Sequence, residues 1–553
     1  MTELPLLSAL IALPLLGALC IALLPREEHG QQRAVALLFM LLTLGVALWA
    51  ALAFDASPGA PEFQLQNQLA WIPGLGVSYH VGVDGLALVL VALTGILGPL
   101  VVLSAFGAVR ERVKEFMISL LLLQAAMLGA FISLDLVLFY VFWEAMLVPM
   151  YLLIGIWGGE RRIYATVKFF IYTMAGSLLM LVAILYVYFA AAGPYAHTFD
   201  YPQILRLAPA LPVAAQRWIF LAFALSFAIK VPMVPLHTWL PDAHTEAPTA
   251  GSVILAGVLL KMGAFGFLRY AFPLFPDGAM IFRPLIAILA VVGIVYGALM
   301  CLAQRDMKRL VAYSSVSHMG FVMLGLSALT VEGLTGGVYQ LLSHGVSTGA
   351  LFMLVGMLYE RRHTREISDY GGLAKAVPAL AALWLLVTLA SIGLPGTNGF
   401  IGEFLILAGT WSSKLSNAPW FAAGGALGVI LGAVYMLGMY QRLFFGPLRR
   451  EENRALPDLS GREWAVLSPL AALILVMGVY PQPILDRIEP SVARLVQRMA
   501  AHHALEVGTP PVSHPPFSLR PPAREERPAS PGGGHPFPKL PPDILRQLMR
   551  HRH

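Results

Sequence analysis

The sequence predicts an all-α polytopic membrane protein of about fourteen transmembrane helices, two of them discontinuous, arranged as two inverted helix repeats. Three observations lead there. Of the 553 residues 58% are hydrophobic and 12% charged, and apolar runs of about 20 residues, long enough to cross a ~30 Å hydrocarbon core, follow one another with short polar connections. Basic residues fall mainly in alternate connections. Two apolar runs are interrupted by proline and glycine at corresponding places in the two halves, a pattern that goes with inverted repeats around a pathway.

Taken in order, spans are expected near residues 4–24, 33–53, 83–105, 116–134, 136–157, 165–191, 218–240, 248–270, 282–302, 309–329, 336–359, 376–412 (broken), 422–445 and 464–486. The first run, "LPLLSALIALPLLGALCIALL", lacks a basic leader and is followed by "PREEHG", so a retained helix is expected rather than a cleaved signal peptide. Twenty of the 37 Lys and Arg residues lie in alternate connections, among them Arg110, Arg161, Arg305 and Arg361; the other connections hold five, Arg206, Arg217, Arg269, Arg283 and Lys414. The positive-inside bias places the first set in the cytoplasm and both termini on the opposite side. It also accounts for the net charge of +6 and the pI near 9.2. Nucleic acid is not implied, because the basic residues flank the membrane without interleaved aromatics on a polar face.

The transmembrane domain is expected at 1–488 and a tail at 489–553. Residues 501–553 hold 12 of the 40 prolines and 6 of the 14 histidines, a composition that cannot bury a core and is expected to be disordered from about 501. Within it only "PPDILRQLMRHRH" is able to form a short helix. The tail is either a solvated segment without a function or a docking arm for a neighbouring protein. Cys20 and Cys301 lie in separate apolar runs, with no paired spacing for zinc or an iron–sulfur cluster. No phosphate loop or catalytic nucleophile motif is present either.

Function is expected where hydrocarbon should not tolerate the side chains. A charge at mid-membrane costs about 2.5 to 3.5 kcal/mol on insertion scales, so such residues line polar cavities and find partners. Four stand out: Glu144, Lys230, Lys261 and Glu403. Glu144 in "DLVLFYVFWEAMLVPMYLLIGIWGG" lies ~12 Å inside its helix and Lys230 ~18 Å from the same face, so the two are expected to pair. Lys261 in "GSVILAGVLLKMGAFGF" is flanked by Gly257 and Gly263, which allow close packing. Pro232 and Pro235 should interrupt the helix just after Lys230. In "LASIGLPGTNGFIGEFLIL", Gly393, Pro395, Gly396 and Gly399 should do the same before Glu403. Backbone freed at that depth survives only inside protein or beside water. His318 in "YSSVSHMGF" and His344 in "YQLLSHGVSTGA" fill the polar line between the breaks, with His237 part of the same line. His244 is placed at its cytoplasmic mouth or is structural. Glu, Lys and His at such positions can relay protons: Glu144 close to Lys230 holds the lysine's proton, and an opened pair lets it go. The competing possibility is a set of static ion pairs that fix helix packing.

At these residues the chain resembles the antiporter-like M-subunit family of bacterial proton-pumping NADH:quinone oxidoreductase, respiratory complex I. The matching stretches are "FYVFWEAMLVPMYLLIGIWGG", "KVPMVPLHTWLPDAHTEAPTAGSVILAGVLLKMG", "DMKRLVAYSSVSHMGF" and "GTNGFIGEFLIL", and they span the membrane domain but not residues 501–553. The resemblance implies that Glu144 and Lys230 form a coupling pair, that Lys261 is the central proton carrier, that His237, His318 and His344 belong to a hydrated line, and that Glu403 is the exit-side group. It also implies no cofactor in this subunit, a place in the bacterial inner membrane with both termini periplasmic, and partners among the other membrane subunits, including neighbouring antiporter-like ones, with the lipid bilayer around them. The rival expectation is a subunit of a multisubunit cation/proton antiporter, which shares much of the pattern. A solute transporter would need a midplane site of substrate size and polarity rather than an axial line.

Overall fold

The computed structural model describes residues 5–57, 59–191, 197–448 and 450–507, with side chains to 503. The greater part of the predicted tail, including "PPDILRQLMRHRH", lies outside the described residues. Among the described residues, thirteen helices are long and apolar enough to cross a membrane. The remaining expected span is the broken one, Pro378–Ser391 followed by Asn398–Trp411. Each thus falls on one of the fourteen predicted runs.

The spans sort by burial. Thr249–Leu274, Met307–Ala328 and Val331–Arg362 are 100% buried over their apolar windows, whereas Leu6–Leu23, His29–Ala53 and Ala418–Phe444 are 39% or less. The three enclosed helices are those that carry Lys261, His318 and His344. A helix apolar all round belongs in the interior, and here the interior helices hold the polar residues as well. Lipid-type surface is left to the rim, where Leu52, Phe189, Trp218 and Trp420 are exposed.

Helix starts are fixed by side chains that accept the orphan N–H groups of the first turn. Asp84 Oδ1 accepts from Ala87 N at 2.9 Å, and Asp135 Oδ1 from Val137 N and Leu138 N at 2.9 and 3.1 Å. Asp306 Oδ1 accepts from Lys308 N and Arg309 N at 2.7 and 3.0 Å. Two of these caps recur in a pattern. Asp135 pairs with Asp200 through an isolated antiparallel bridge, and Asp306 pairs with Glu366 through another. The loop of Asp135 touches Ser78, on the face opposite to the one where Asp306 meets Arg365 at 3.1 Å.

Two elements depart from the helical expectation. Gln64–Ile72 and Val77–Val83 form an antiparallel pair, built on β-branched and aromatic residues in "VSYHVGV" and closed by Gly76 at φ +68°. A window of membrane length averages such short strands away. The second is Gln482–Val507, one continuous helix, so the boundary drawn at 488 falls inside an element, and residues 501–507 are helical rather than disordered. Its buried residues Leu485, Ile488, Val492, Leu495 and Met499 recur every three or four positions, the stripe of an amphipathic helix. That spacing is written in the sequence, next to an abrupt change in composition.

This helix lies across the face that carries the β-pair. Gly85 N donates to Ser491 Oγ at 3.0 Å, Arg494 donates to Ala60 O at 2.6 Å, Arg498 pairs with Glu62 at 3.0 Å, and His502 meets Asp277 at 2.9 Å. It therefore ties the ends of early spans to the start of Pro276–Leu302. Within it, burial, with Asp486 and Glu332 nearby, pushes the Glu489 carboxyl up to about 7. Because the folded state favours the neutral acid, its contribution is fully present below the ordinary carboxylate range and is lost as pH rises through about 7. Hydrogen exchange in residues 482–503 is expected to quicken across that pH, and Glu489→Gln should flatten the change.

Candidate functional site

The first break follows Lys230, where Val213–Lys230 stops and Trp239–Glu246 resumes. Pro232 has no N–H to give to Ala228 O, and Met233 N takes that carbonyl instead at 2.8 Å. Met233 is thereby diverted from Ile229 O, which accepts from the indole of Trp239 at 2.8 Å. The opened turn is thus satisfied within protein, as spanning backbone requires.

Lys230 is 3% exposed. Its Nζ sits 3.6 Å from the centroid of the Trp143 ring and has no hydrogen-bond partner. The expected direct Glu144–Lys230 pair is not formed: no ion pair within 4 Å joins them among the described residues, and Glu144 Oε1 is also without a partner. The indole of Trp143 holds the lysine through its π face, worth about 2 kcal/mol or more when desolvated. Glu144 adjoins Trp143 in sequence.

Lys261 is fully buried, on a stretch of Thr249–Leu274 bounded by two widened π-helical turns, Leu255–Leu259 and Phe267–Ala271. Such turns concentrate at functional positions. Its Nζ donates to Ala256 O in the first of them and lies 2.6 Å from His344 Nδ1. The glycines beside it act as expected. A Cβ on Gly263 would come within 2.6 Å of Phe227 O and 2.7 Å of Val231 N, and one on Gly257 within 2.6 Å of Leu97. The Lys261 helix is therefore pressed directly onto the broken one.

From His344 the line continues outward from the centre. The His344 and His318 rings are 5.6 Å apart, His318 Nδ1 is 3.4 Å from Glu403 Oε1, and Gln340 Nε2 donates to the same oxygen at 3.2 Å. The second break supports this end. Asn398 Nδ2 donates to Ser343 O at 3.2 Å, and Ser343 Oγ donates back to Asn398 O at 2.9 Å. Gly393 and Gly396 have φ of +74° and +90°, conformations that side chains rarely adopt. A Cβ on Gly393 would meet Glu403 Oε2 at 2.6 Å. His318, His344, Ser343, Ser347 and Gly399 line a small polar pocket beside the second break.

Lys261, His344, His318 and Glu403 are thus brought together, whereas His237 is not joined to them by any hydrogen bond. It is 4% exposed and meets Tyr296 edge-on at 5.1 Å. His244 is buried rather than at a mouth, and it stacks on Phe352 at 4.6 Å. Three cations assigned to connections are also buried: Arg269, Arg283 and Lys308. Arg283 donates to Ser327 O and Ala328 O at 2.6 and 2.5 Å, and Lys308 to Ala247 O at 2.5 Å. Both therefore serve the last carbonyls of helices. Arg269 pairs with Asp84 at 2.5 Å. Its place eight residues after Lys261 on one predicted helix was a signal that could have found it. Among the described residues, no group of three or more His, Cys, Asp or Glu is placed to hold a metal ion.

Comparison with known proteins places this geometry. Residues 133–429 match the family described as NADH:quinone oxidoreductase/Mrp antiporter, TM. The chain is 48% identical over 519 residues to NADH-quinone oxidoreductase subunit M of Rhodobacter capsulatus, covering 91% of this chain and 98% of that one. The chain belongs to the subunit M family. Among solved structures, a chain of respiratory complex I from Thermus thermophilus matches with a TM-score of 0.81 and 37% identity, over 90% of this chain and all of that one. A chain of the Mrp complex from Dietzia sp. matches with a TM-score of 0.75 and 22% identity, over 89% of this chain and 51% of that one. At that identity the likeness is one of fold alone.

Within the subunit M fold, the packing at Gly263 has a measurable consequence. Gly263→Ala must part the Lys261 helix from Phe227 and Val231, a strain of about 1–3 kcal/mol. Less assembled complex in membranes and a lower unfolding temperature are expected, whereas wild-type values for both would show that the two helices tolerate separation.

Proposed function

We propose that protons move through this chain along Glu144, Lys230, Lys261, His344, His318 and Glu403, with His237 flanking the line. The chain is a proton-translocating, multi-pass membrane subunit of NADH-quinone oxidoreductase and works beside the other membrane subunits of that complex. In this proposal quinone reduction elsewhere in the complex supplies the energy, and the subunit needs no redox cofactor of its own. The observation that carries it is the row of buried neighbours between two interrupted spans, Lys261 at 2.6 Å from His344, the His344 and His318 rings 5.6 Å apart, and His318 at 3.4 Å from Glu403. A purely structural set of ions would not need two adjoining histidines and a lysine at 2.6 Å from an imidazole nitrogen.

Glu144 and Lys230 act here as the input. Lys230 rests on Trp143 in the observed arrangement, and a swing of either side chain would bring carboxylate and ammonium together, changing how firmly Lys230 holds its proton. Glu403, between His318 and the second break, is assigned the exit. The halves are read as inverted repeats, supported by the paired breaks and by the Asp135–Asp200 and Asp306–Glu366 bridges on opposite faces. The basic loops are assigned to the cytoplasm of a bacterial inner membrane and both termini to the periplasm. The stretch beyond 507 is given no part in proton transfer.

Glu144→Ala and Lys230→Ala are each expected to leave the complex assembled while nearly abolishing quinone-coupled proton pumping in vesicles; near-normal pumping by the assembled variants would remove both from the line. Glu403→Gln keeps the shape but cannot ionise, and slowed turnover is expected, with the rate of NADH-driven quinone reduction as the check. An unchanged rate would assign Glu403 to packing.

A further inference from the structure

We propose that Arg269, held by Asp84, is an electrostatic barrier that closes the outer end of the Lys261 helix to protons and so turns the proton on Lys261 sideways to His344. This builds on the proton line proposed above. Arg269 lies eight residues beyond Lys261 on the same helix, ~12 Å further along its axis. It is 3% exposed. Only Nη2 has a charged partner, Asp84 Oδ1, and that oxygen also caps Gly85–Ala108 through Ala87 N. Nε and Nη1 are buried without partners. The guanidinium is boxed by the rings of Phe63, Phe265 and Tyr201 at 5.0, 5.2 and 5.7 Å, and Tyr201 donates its hydroxyl to Arg269 O.

The surroundings make a barrier necessary. Between Arg269 and the face of the β-pair lie groups that can pass protons: Tyr270, whose hydroxyl donates to Ser133 O at 3.3 Å, Asp135, and His80 with Asp200 at 2.6 Å. Without a fixed cation this polar shell would offer Lys261 a direct way out, bypassing His344, His318 and Glu403. An arginine side chain does not give up its proton in proteins, so it cannot join a relay. A fixed positive charge in a dry passage repels protons. The second half differs in carrying Glu403 beside His318, where a proton can be accepted.

The test uses the assembled complex in proteoliposomes under an imposed pH gradient, with no NADH or quinone present. The double variant Arg269→Met with Asp84→Asn removes both charges and leaves no buried ion alone. Its passive proton conductance should rise about twofold, because the two opposite charges it removes largely offset each other at a distance of about 10 Å from the path. During turnover, quinone reduction should continue while protons pumped per electron fall. Adding Lys261→Ala should close the leak. A double variant as tight as wild type, or a leak that survives Lys261→Ala, overturns the barrier. If the double variant does not assemble, Arg269→Lys preserves bulk and charge: it should be tight at neutral pH and leak at alkaline pH, where lysine can lose its proton and arginine cannot. Tightness at every pH would equally overturn it. Failure of the proton line itself would be seen separately, as unchanged pumping in Lys230→Ala.

Discussion

The contact between Lys261 Nζ and His344 Nδ1, at 2.6 Å between two buried side chains, is the interaction around which the rest is arranged. A lysine in such a place needs polar partners, and here it has an imidazole and a backbone carbonyl freed by a widened helical turn. To present them, the helix carrying Lys261 must lie tightly against both the broken helix before it and the His344 helix. Gly263 and Gly257, together with Gly345, where a Cβ would come within 3.0 Å of Gly257 O, make that approach possible. The rim of apolar spans then shields the assembly from lipid.

The two breaks belong to the same logic. Interrupted backbone exposes carbonyl and N–H groups that hydrocarbon would punish, so each break is answered locally. Trp239 and Met233 cover the carbonyls before Pro232 and Pro235, and Asn398 with Ser343 ties the second break to the His344 helix. Buried atoms without a hydrogen-bond partner occur both on the line, at Lys230 Nζ, Glu144 Oε1 and His344 Nε2, and off it, at Arg269, His244 and Gln124.

Outside the line, charge is used for construction. Arg283 and Lys308 close helix ends, and Arg361 grips Glu463 with two bonds at 2.7 and 2.8 Å. On the opposite face, the helix Gln482–Val507 and the β-pair fasten loops that are far apart in sequence. Arg498 with Glu62 and Ser491 with Gly85 join positions separated by more than 400 residues. These contacts position Asp84, and through it Arg269, at the outer end of the central helix.

The sequence by itself determined the membrane class, the run of apolar spans, both interruptions and the presence of Lys261, His318, His344 and Glu403 inside apolar helices. Each is a local property, whether twenty apolar residues, a proline without a donor, or an ion where hydrocarbon forbids one. It did not reveal the β-pair, because strands of nine and seven residues vanish in a window of membrane length. Nor did it place the end of the chain, where composition changes before helical periodicity does. Only the tertiary structure decided that Lys230 rests on Trp143 rather than against Glu144, that His237 stands apart while His344 touches Lys261, and that Arg269 is buried with Asp84. Helical depth says how far a side chain lies from a membrane face, but its direction around the helix axis, and therefore its partner, is set by how neighbouring helices pack.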